Sequence, residues 1–180
     1  IKFGDLNKLK KSHLNQALDS DFYIVFGSSF IKGWLIEFLI EKKAINIHMG
    51  VSPYYRGSSC NFWALYDNNP SLVGATIHLL SEGLDSGNIL FHCLPKLRAH
   101  DNPFDFTMRS VLVAQKGLIS SVKNKKIFDF KKVKQNKDKE IRYSKNKDFT
   151  DKIASEFLQR DIQLNSIEFS YPELINPVFG

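Results

Sequence analysis

Apolar residues along this chain fall into short runs whose spacing switches between the strand period and the helix period. Residues 22–27, FYIVFG, form a β-branched and aromatic run closed by Gly27, the pattern of a buried strand. Residues 31–40 place Trp34, Leu35, Phe38 and Leu39 at helical spacing, which predicts a helix. A second short strand is predicted over 44–48. The stretch 58–68, SSCNFWALYDN, predicts a Ser-capped helix packing Phe62, Trp63 and Leu65. Two further strands, 74–80 (GATIHLL) and 88–92 (NILFH), flank the turn SEGLDSG.

A longer helix is predicted to begin after Asn102, its candidate N-cap, with Pro103 in the first helical position. Phe104, Met108, Val111, Leu118 and Val122 make its expected apolar stripe, broken by Gln115. Beyond residue 123 the pattern weakens into a predicted hairpin or loop, followed by a charged helix over 150–160. The last twenty residues show no period, and residues 1–20 have room for one helix at most. Strands alternating with helices predict an α/β, Rossmann-like domain with a mostly parallel sheet over residues 1–122. Residues 123–180 are then a basic C-terminal extension.

Composition narrows the class. With 43% hydrophobic and 13% aromatic residues, the chain can pack a core and is not generally disordered. No apolar run reaches membrane-spanning length and no signal-peptide pattern is present. The first residue, Ile1 rather than Met, suggests a fragment or a processed chain, missing the start of its domain. Cys60 and Cys93 lack CxxC spacing and read as reduced, buried thiols of a cytoplasmic protein. The net charge of +6 is concentrated: residues 123–160 hold thirteen Lys and Arg against six Asp and Glu. Acids are interspersed there, so a solvated Lys-rich face is expected rather than a nucleic-acid surface.

Candidate chemistry begins at INIHMGVSPYYRGSS, residues 45–59. Side chains on a strand repeat every two residues, so Asn46 and His48 face one side. In an open α/β sheet the ligand crevice lies beyond the carboxyl ends of strands. An amide and an imidazole are thus delivered to that crevice, ahead of a loop stiffened by Pro53 and bounded by Gly50 and Gly57. Asp85, between Gly83 and Gly87, is a third candidate, because a carboxylate beside an imidazole stabilises imidazolium. Such a set can stabilise an oxyanion and move a proton through water, which suits acyl transfer without a covalent nucleophile. A purely structural Asn-x-His hydrogen bond and a turn-capping Asp85 stay open as alternatives. His78 is expected to be a packed histidine. His13, His92 and His100 have no metal-ligand spacing, so no metal site is expected. No Walker loop or GxGxxG occurs. Tyr54 and Tyr55 are candidates to stack on a ligand ring, whereas Phe62 and Trp63 read as core.

NIHMGVSPYYRG, then FWAL, VGATIH and GLDSGNIL in that order, resembles the folate-dependent formyltransferases over roughly residues 22–122. That family includes methionyl-tRNA, glycinamide ribonucleotide and sugar-nucleotide N-formyltransferases and the hydrolase that cleaves formyltetrahydrofolate. The resemblance implies a catalytic trio of Asn46, His48 and Asp85 and 10-formyltetrahydrofolate as formyl donor. It places Ser29, Phe30, Ile31 and Lys32, with Glu82, Gly83 and Leu84, at the folate pocket. It also makes Gly50, Val51, Ser52 and Pro53 a folate-contacting turn. Arg56, in a Tyr-Arg-Gly context similar to the tRNA and sugar-nucleotide branches, is expected to bind a phosphate or carboxylate of the acceptor, beside Tyr54. The implied function is formyl transfer to a small amine, with a nucleotide-linked amino sugar as first choice. The alternatives are hydrolysis of the formyl donor, a methionyl-tRNA-type acceptor, or a non-catalytic binding domain. No membrane partner is expected, and a homo-oligomer is compatible. Two departures stand out. The family commonly has H-x-S-L-L-P where this chain has His48-Met49-Gly50-Val51-Ser52-Pro53. The family's opening βα units also have no counterpart here, and 123–180 is shorter than the barrel-like second domain of the tRNA enzymes.

Overall fold

The structure, a computed structural model, describes residues 5–180. Its elements in chain order are α1 (Lys11–Leu14), β1 (Ile24–Phe26), α2 (Trp34–Glu41), β2 (Ile45–His48), β3 (Tyr55–Gly57) and α3 (Cys60–Tyr66). Then follow β4 (Ala75–Leu79), β5 (Ile89–Leu94), α4 (Pro103–Lys123), β6 (Arg142–Ser144), α5 (Asp151–Leu158) and β7 (Val178–Phe179). The strands predicted from 22–27, 44–48, 74–80 and 88–92 all form.

Five strands make the central sheet in the order β1-β2-β4-β5-β7. β1 pairs parallel with β2, and β5 with β7, while β4 is antiparallel to both its neighbours. Four of the five strands therefore run the same way, as expected of this fold class. β4 reverses because residues 80–88 join it to β5 as a hairpin, too short a link for a crossover. Ile45, Ile47, Ala75 and Ile77 point to one face and pack under α4. Asn46, His48, Thr76 and His78 alternate with them and share the other face. The register sets Asn46 opposite His78 and His48 opposite Thr76.

Several expectations change. β1 is not a buried strand: Ile24 and Phe26 are exposed and only Val25 is covered, because β1 is an edge with a partner on one side. α3 starts without a serine cap. Ser59 is left-handed (φ 55°) and makes no side-chain cap bond, while the Ser58 hydroxyl turns to the Ser144 carbonyl. α4 does begin as predicted, with Asn102 Oδ1 accepting from the Phe104 and Asp105 N–H groups. Its buried face differs from the predicted stripe: Phe104 and Met108 are 60% and 64% exposed. Leu118 is buried as predicted, joined by Phe106, Ser110, Val113, Ala114, Gly117 and Ser121, which lie outside the stripe. Small residues let the helix approach the sheet closely. A Cβ on Gly117 would stand 3.0 Å from Cys93 Sγ.

Residues beyond 122 are built onto the same body. β6 lies parallel to β3, Val133 bridges Ile89, and β7 extends the central sheet. Arg142 forms a two-pronged pair with Asp67 at 2.6 and 2.8 Å, and Lys139 pairs with Glu173. Thr150 caps α5, the predicted charged helix, whose Phe157 joins the Trp63 cluster. Among the described residues no helix is long and apolar enough to cross a membrane.

Candidate active site

His48 and Asp85 meet with Nδ1 and Oδ2 3.3 Å apart, both side chains under a tenth exposed. The other ring nitrogen, Nε2, is 3.1 Å from the Tyr55 carbonyl oxygen. Both nitrogens thus face acceptors, an arrangement satisfied only when both carry protons. Burial opposes the charge on His48, but the Asp85 carboxylate, aided by Cys60, holds its pKa well above 6.5. Burial likewise opposes ionisation of Asp85, and the charge and hydrogen bond of His48 outweigh it, so its pKa lies far below the usual carboxylate range. The two form a charged pair.

His78, expected to be a packed histidine, joins this network. Its Nδ1 faces the Leu79 carbonyl at 2.8 Å and so carries the proton, which leaves Nε2 as the acceptor of a 3.0 Å bond from Asn46 Nδ2. Asn46 Nδ2 also donates to Asp85 Oδ1 at 3.4 Å. Both hydrogens of the amide are spent, so what Asn46 offers the cavity is its carbonyl oxygen. The expected oxyanion donation from Asn46 is therefore not available in this arrangement.

A cavity of about 770 Å³ opens over the trio. Ser29, Phe30, Ile31, Lys32, Gly83 and Leu84 line it with Asn46, His48 and Asp85, bringing together most of the residues singled out from the sequence. Glu82 does not line it. Neither do Gly50, Val51, Ser52 or Pro53, which are buried beneath His48. That loop works from behind. Thr76 Oγ1 accepts from the Ser52 N–H at 2.8 Å and donates to the Gly50 carbonyl at 2.6 Å, while His92 Nε2 donates to the Ser52 carbonyl at 2.8 Å. His92 Nδ1 accepts from the Ile175 N–H, so this ring is neutral. Burial, against the Ser52 bond, lowers its pKa to about 4.

The two expected acceptor-binding residues are used otherwise. Tyr54 is buried and donates to the Glu173 carbonyl at 3.0 Å. Arg56 donates to Glu140 at 2.8 Å and to the Leu84 carbonyl at 2.7 Å, bracing the Asp85 turn. Both Nη atoms of its guanidinium are engaged by the protein, while Nε is buried without a partner. Gly57, named from the sequence as bounding the candidate loop, lines the wall. Unanticipated wall residues are Ser58, and Tyr143, Ser144, Lys145 and Asn146 from the Lys-rich extension. Only the alternation of Thr76 and His78 on a strand beside Asn-x-His gave any sequence signal of these further contributors. A second cavity of about 320 Å³, walled mainly by Phe62, Phe104, Met108, Val111 and Phe157, shares His48 and also touches Cys60.

Comparison with known proteins gives consistent matches. The family model for formyl transferase matches residues 9–122. The chain is 29% identical over 126 residues to formyltetrahydrofolate deformylase 2, mitochondrial, of Arabidopsis thaliana, covering 67% of this chain and 36% of that protein. It is also 29% identical over 117 residues to methionyl-tRNA formyltransferase of Trichormus variabilis, covering 65% of this chain and 33% of that protein. The chain thus spans about a third of the length of these curated relatives. Among solved structures, the formyltransferase PseJ from Anoxybacillus kamchatkensis is in complex with UDP-4,6-dideoxy-4-formamido-L-AltNAc and tetrahydrofolate. It matches with TM-score 0.65 and 26% identity, covering 87% of this chain and 78% of its own.

Proposed function

The chain belongs to the formyl transferase family, and from that premise we propose that it transfers a formyl group from 10-formyltetrahydrofolate to the amine of a small acceptor. The observation that carries this is the buried His48–Asp85 charge pair, with Asn46 beside it, at the wall of a ligand-sized cavity. The fit to a folate is reasonable: Phe30, Ile31 and Leu84 offer apolar surface for a ring system, and Ser29 and Lys32 offer polar groups. When bound, the donor supplies an activated formyl group.

The protein's part follows from its charges. The His48 imidazolium places a fixed positive charge where negative charge develops on the formyl oxygen during attack. Asn46 accepts an N–H from the incoming amine and so orients the nitrogen lone pair. As the formyl C–N bond of the donor breaks, Asp85 relays through water the proton that the amine loses to the nitrogen of the departing tetrahydrofolate and itself stays ionised, while His78 holds the Asn46 amide in the required sense. A nucleotide-linked amino sugar is the favoured acceptor, supported by the likeness to the PseJ structure. Similarity to a deformylase supports a second reading, in which water replaces the amine and formate is released.

Mixing the protein with 10-formyltetrahydrofolate, alone and with nucleotide amino sugars or methionyl-tRNA, and analysing the products separates these readings. Formylated amine marks a transferase, and formate without an amine marks a hydrolase. His48→Ala is expected to lower turnover at least about a hundredfold. Unchanged turnover in that variant would sink the mechanism, and absence of any turnover in the wild-type chain would sink the activity.

A further inference from the structure

Residues 123–141 carry no periodic pattern and lie past the end of the family match, yet they reach the candidate catalytic carboxylate. Gln135 Nε2 donates to the backbone carbonyls of both Asp85 and Gly87, each at 2.8 Å. Both partners are acceptors, so only the nitrogen end of the amide can face them, and its two N–H bonds are fully used. Gln135 Oε1 is buried without a hydrogen-bond partner, a desolvation cost that the two donated bonds offset. Gln135 stands two residues past Val133, whose N–H and carbonyl both bond to Ile89 at 2.9 and 2.8 Å. The amide is therefore presented from a fixed point on β5.

The turn it grips needs external support. Asp85 has φ +46°, a conformation that side chains with a β-carbon disfavour. Gly87 is pressed against the end of β4, where a Cβ would come within 1.7 Å of the Leu79 carbonyl oxygen. The Asp85 carboxylate must sit between Asn46 Nδ2, His48 Nδ1 and His78 Nε2, at 3.4, 3.3 and 3.9 Å. Ser81, bonded to Ser86 and the Gly83 carbonyl, and Arg56, on the Leu84 carbonyl, brace the turn elsewhere, whereas Gln135 grips it at Asp85 and Gly87.

We propose that Gln135 is a positioning residue for Asp85, gripping the turn by its backbone so that the carboxylate is held against His48. The proposal rests on the assignment of Asp85 to the catalytic trio. It gives the unpatterned Lys-rich stretch a defined task. The groups that face His48 are Asp85, the Tyr55 carbonyl, Cys60 and the edge-on ring of His78. Loosening the turn changes the first of these and leaves the other three in place.

Three variants test it. Gln135→Leu and Gln135→Glu remove the donors, and Gln135→Lys keeps N–H donors on a side chain long enough to reach both carbonyls. Imidazole titration by NMR and kinetics with 10-formyltetrahydrofolate are the readouts. In the Leu and Glu variants His48 is expected to titrate about one pH unit lower, since its carboxylate partner is less well placed. Their kcat should fall about tenfold or more, with the folate KM changing less than about threefold. Gln135→Lys should restore both towards wild type. Folded Leu and Glu variants with a lower Tm but wild-type His48 titration would overturn the proposal, since that is what a purely structural contact predicts. A shifted His48 titration alongside no turnover in the wild-type chain would sink the formyl-transfer reading and leave the positioning role supported.

Discussion

His48 keeps a positive charge at a place where burial alone would remove it, and the pH dependence of stability should show this. Its folded pKa lies above the ordinary 6.5, so between that value and the folded pKa the native state holds more protons than the unfolded chain. Stability should fall as pH rises through that window, and His48→Gln should flatten the slope in urea melts. His92 has the opposite sign. Its folded pKa is about 4, so from pH 6.5 down to 4 the unfolded chain binds the extra proton and stability falls with acidification. His92→Asn should remove that second slope; a single pH-independent plateau in the wild-type protein would contradict both. Arg56 gives a different test. Its two Nη atoms bond Glu140 and the Leu84 carbonyl, so Arg56→Lys should lower the Tm and leave the acceptor KM nearly unchanged. A large KM effect with normal Tm would restore the ligand-binding role that the sequence context suggests.

At the scale of elements, α4 separates periodicity from packing. Phe104 and Met108 fit the predicted apolar stripe but stand exposed, while Phe106 is buried. Met108→Gln should change stability by less than about 0.5 kcal/mol, whereas Phe106→Ala should cost about 3–5 kcal/mol in denaturant titrations. The sequence misled here because Ser110, Ala114, Gly117 and Ser121 carry little hydrophobicity, and their smallness matters only once a sheet lies against them. The start of the helix was legible because a cap and a first-turn proline act within a few residues. The short elements were less so: β7 is two residues long, and β6 three, below any period a window can register. The β3–β6 pairing depends on close approach at Gly57, where φ is +92° and a Cβ would lie 1.9 Å from the Ser144 carbonyl oxygen. Gly57→Ala should therefore cost more than about 1 kcal/mol and disturb the 143–146 wall of the cavity, measurable as a lower Tm with weaker folate binding.

Across the whole molecule, the extension is bound into the body by strand pairing, by Arg142 on Asp67 and by Gln135 on the Asp85 turn. A chain ending at residue 122 should lose cooperative unfolding and folate binding, although the family match lies wholly within it. Near-UV circular dichroism and a sharp thermal transition in such a truncated chain would refute this. The excess of Lys after residue 122 gave no hint of this role, because a solvated charged surface and a docked segment with charged edges have the same composition.

The sequence by itself determined which elements form over most of residues 22–122 and which residue types make up the trio. Periodicity, caps and the Asn-x-His alternation are local properties, set within a few bonds of each residue. Tertiary structure alone decided that His78 lies opposite Asn46 and turns its amide. It also decided that Arg56 braces a turn, that loop 50–53 supports His48 from below, and that Gln135 holds the Asp85 turn. Those outcomes depend on contacts between segments some 24 to 50 residues apart, whose partners are chosen by register and close packing rather than by any pattern along the chain.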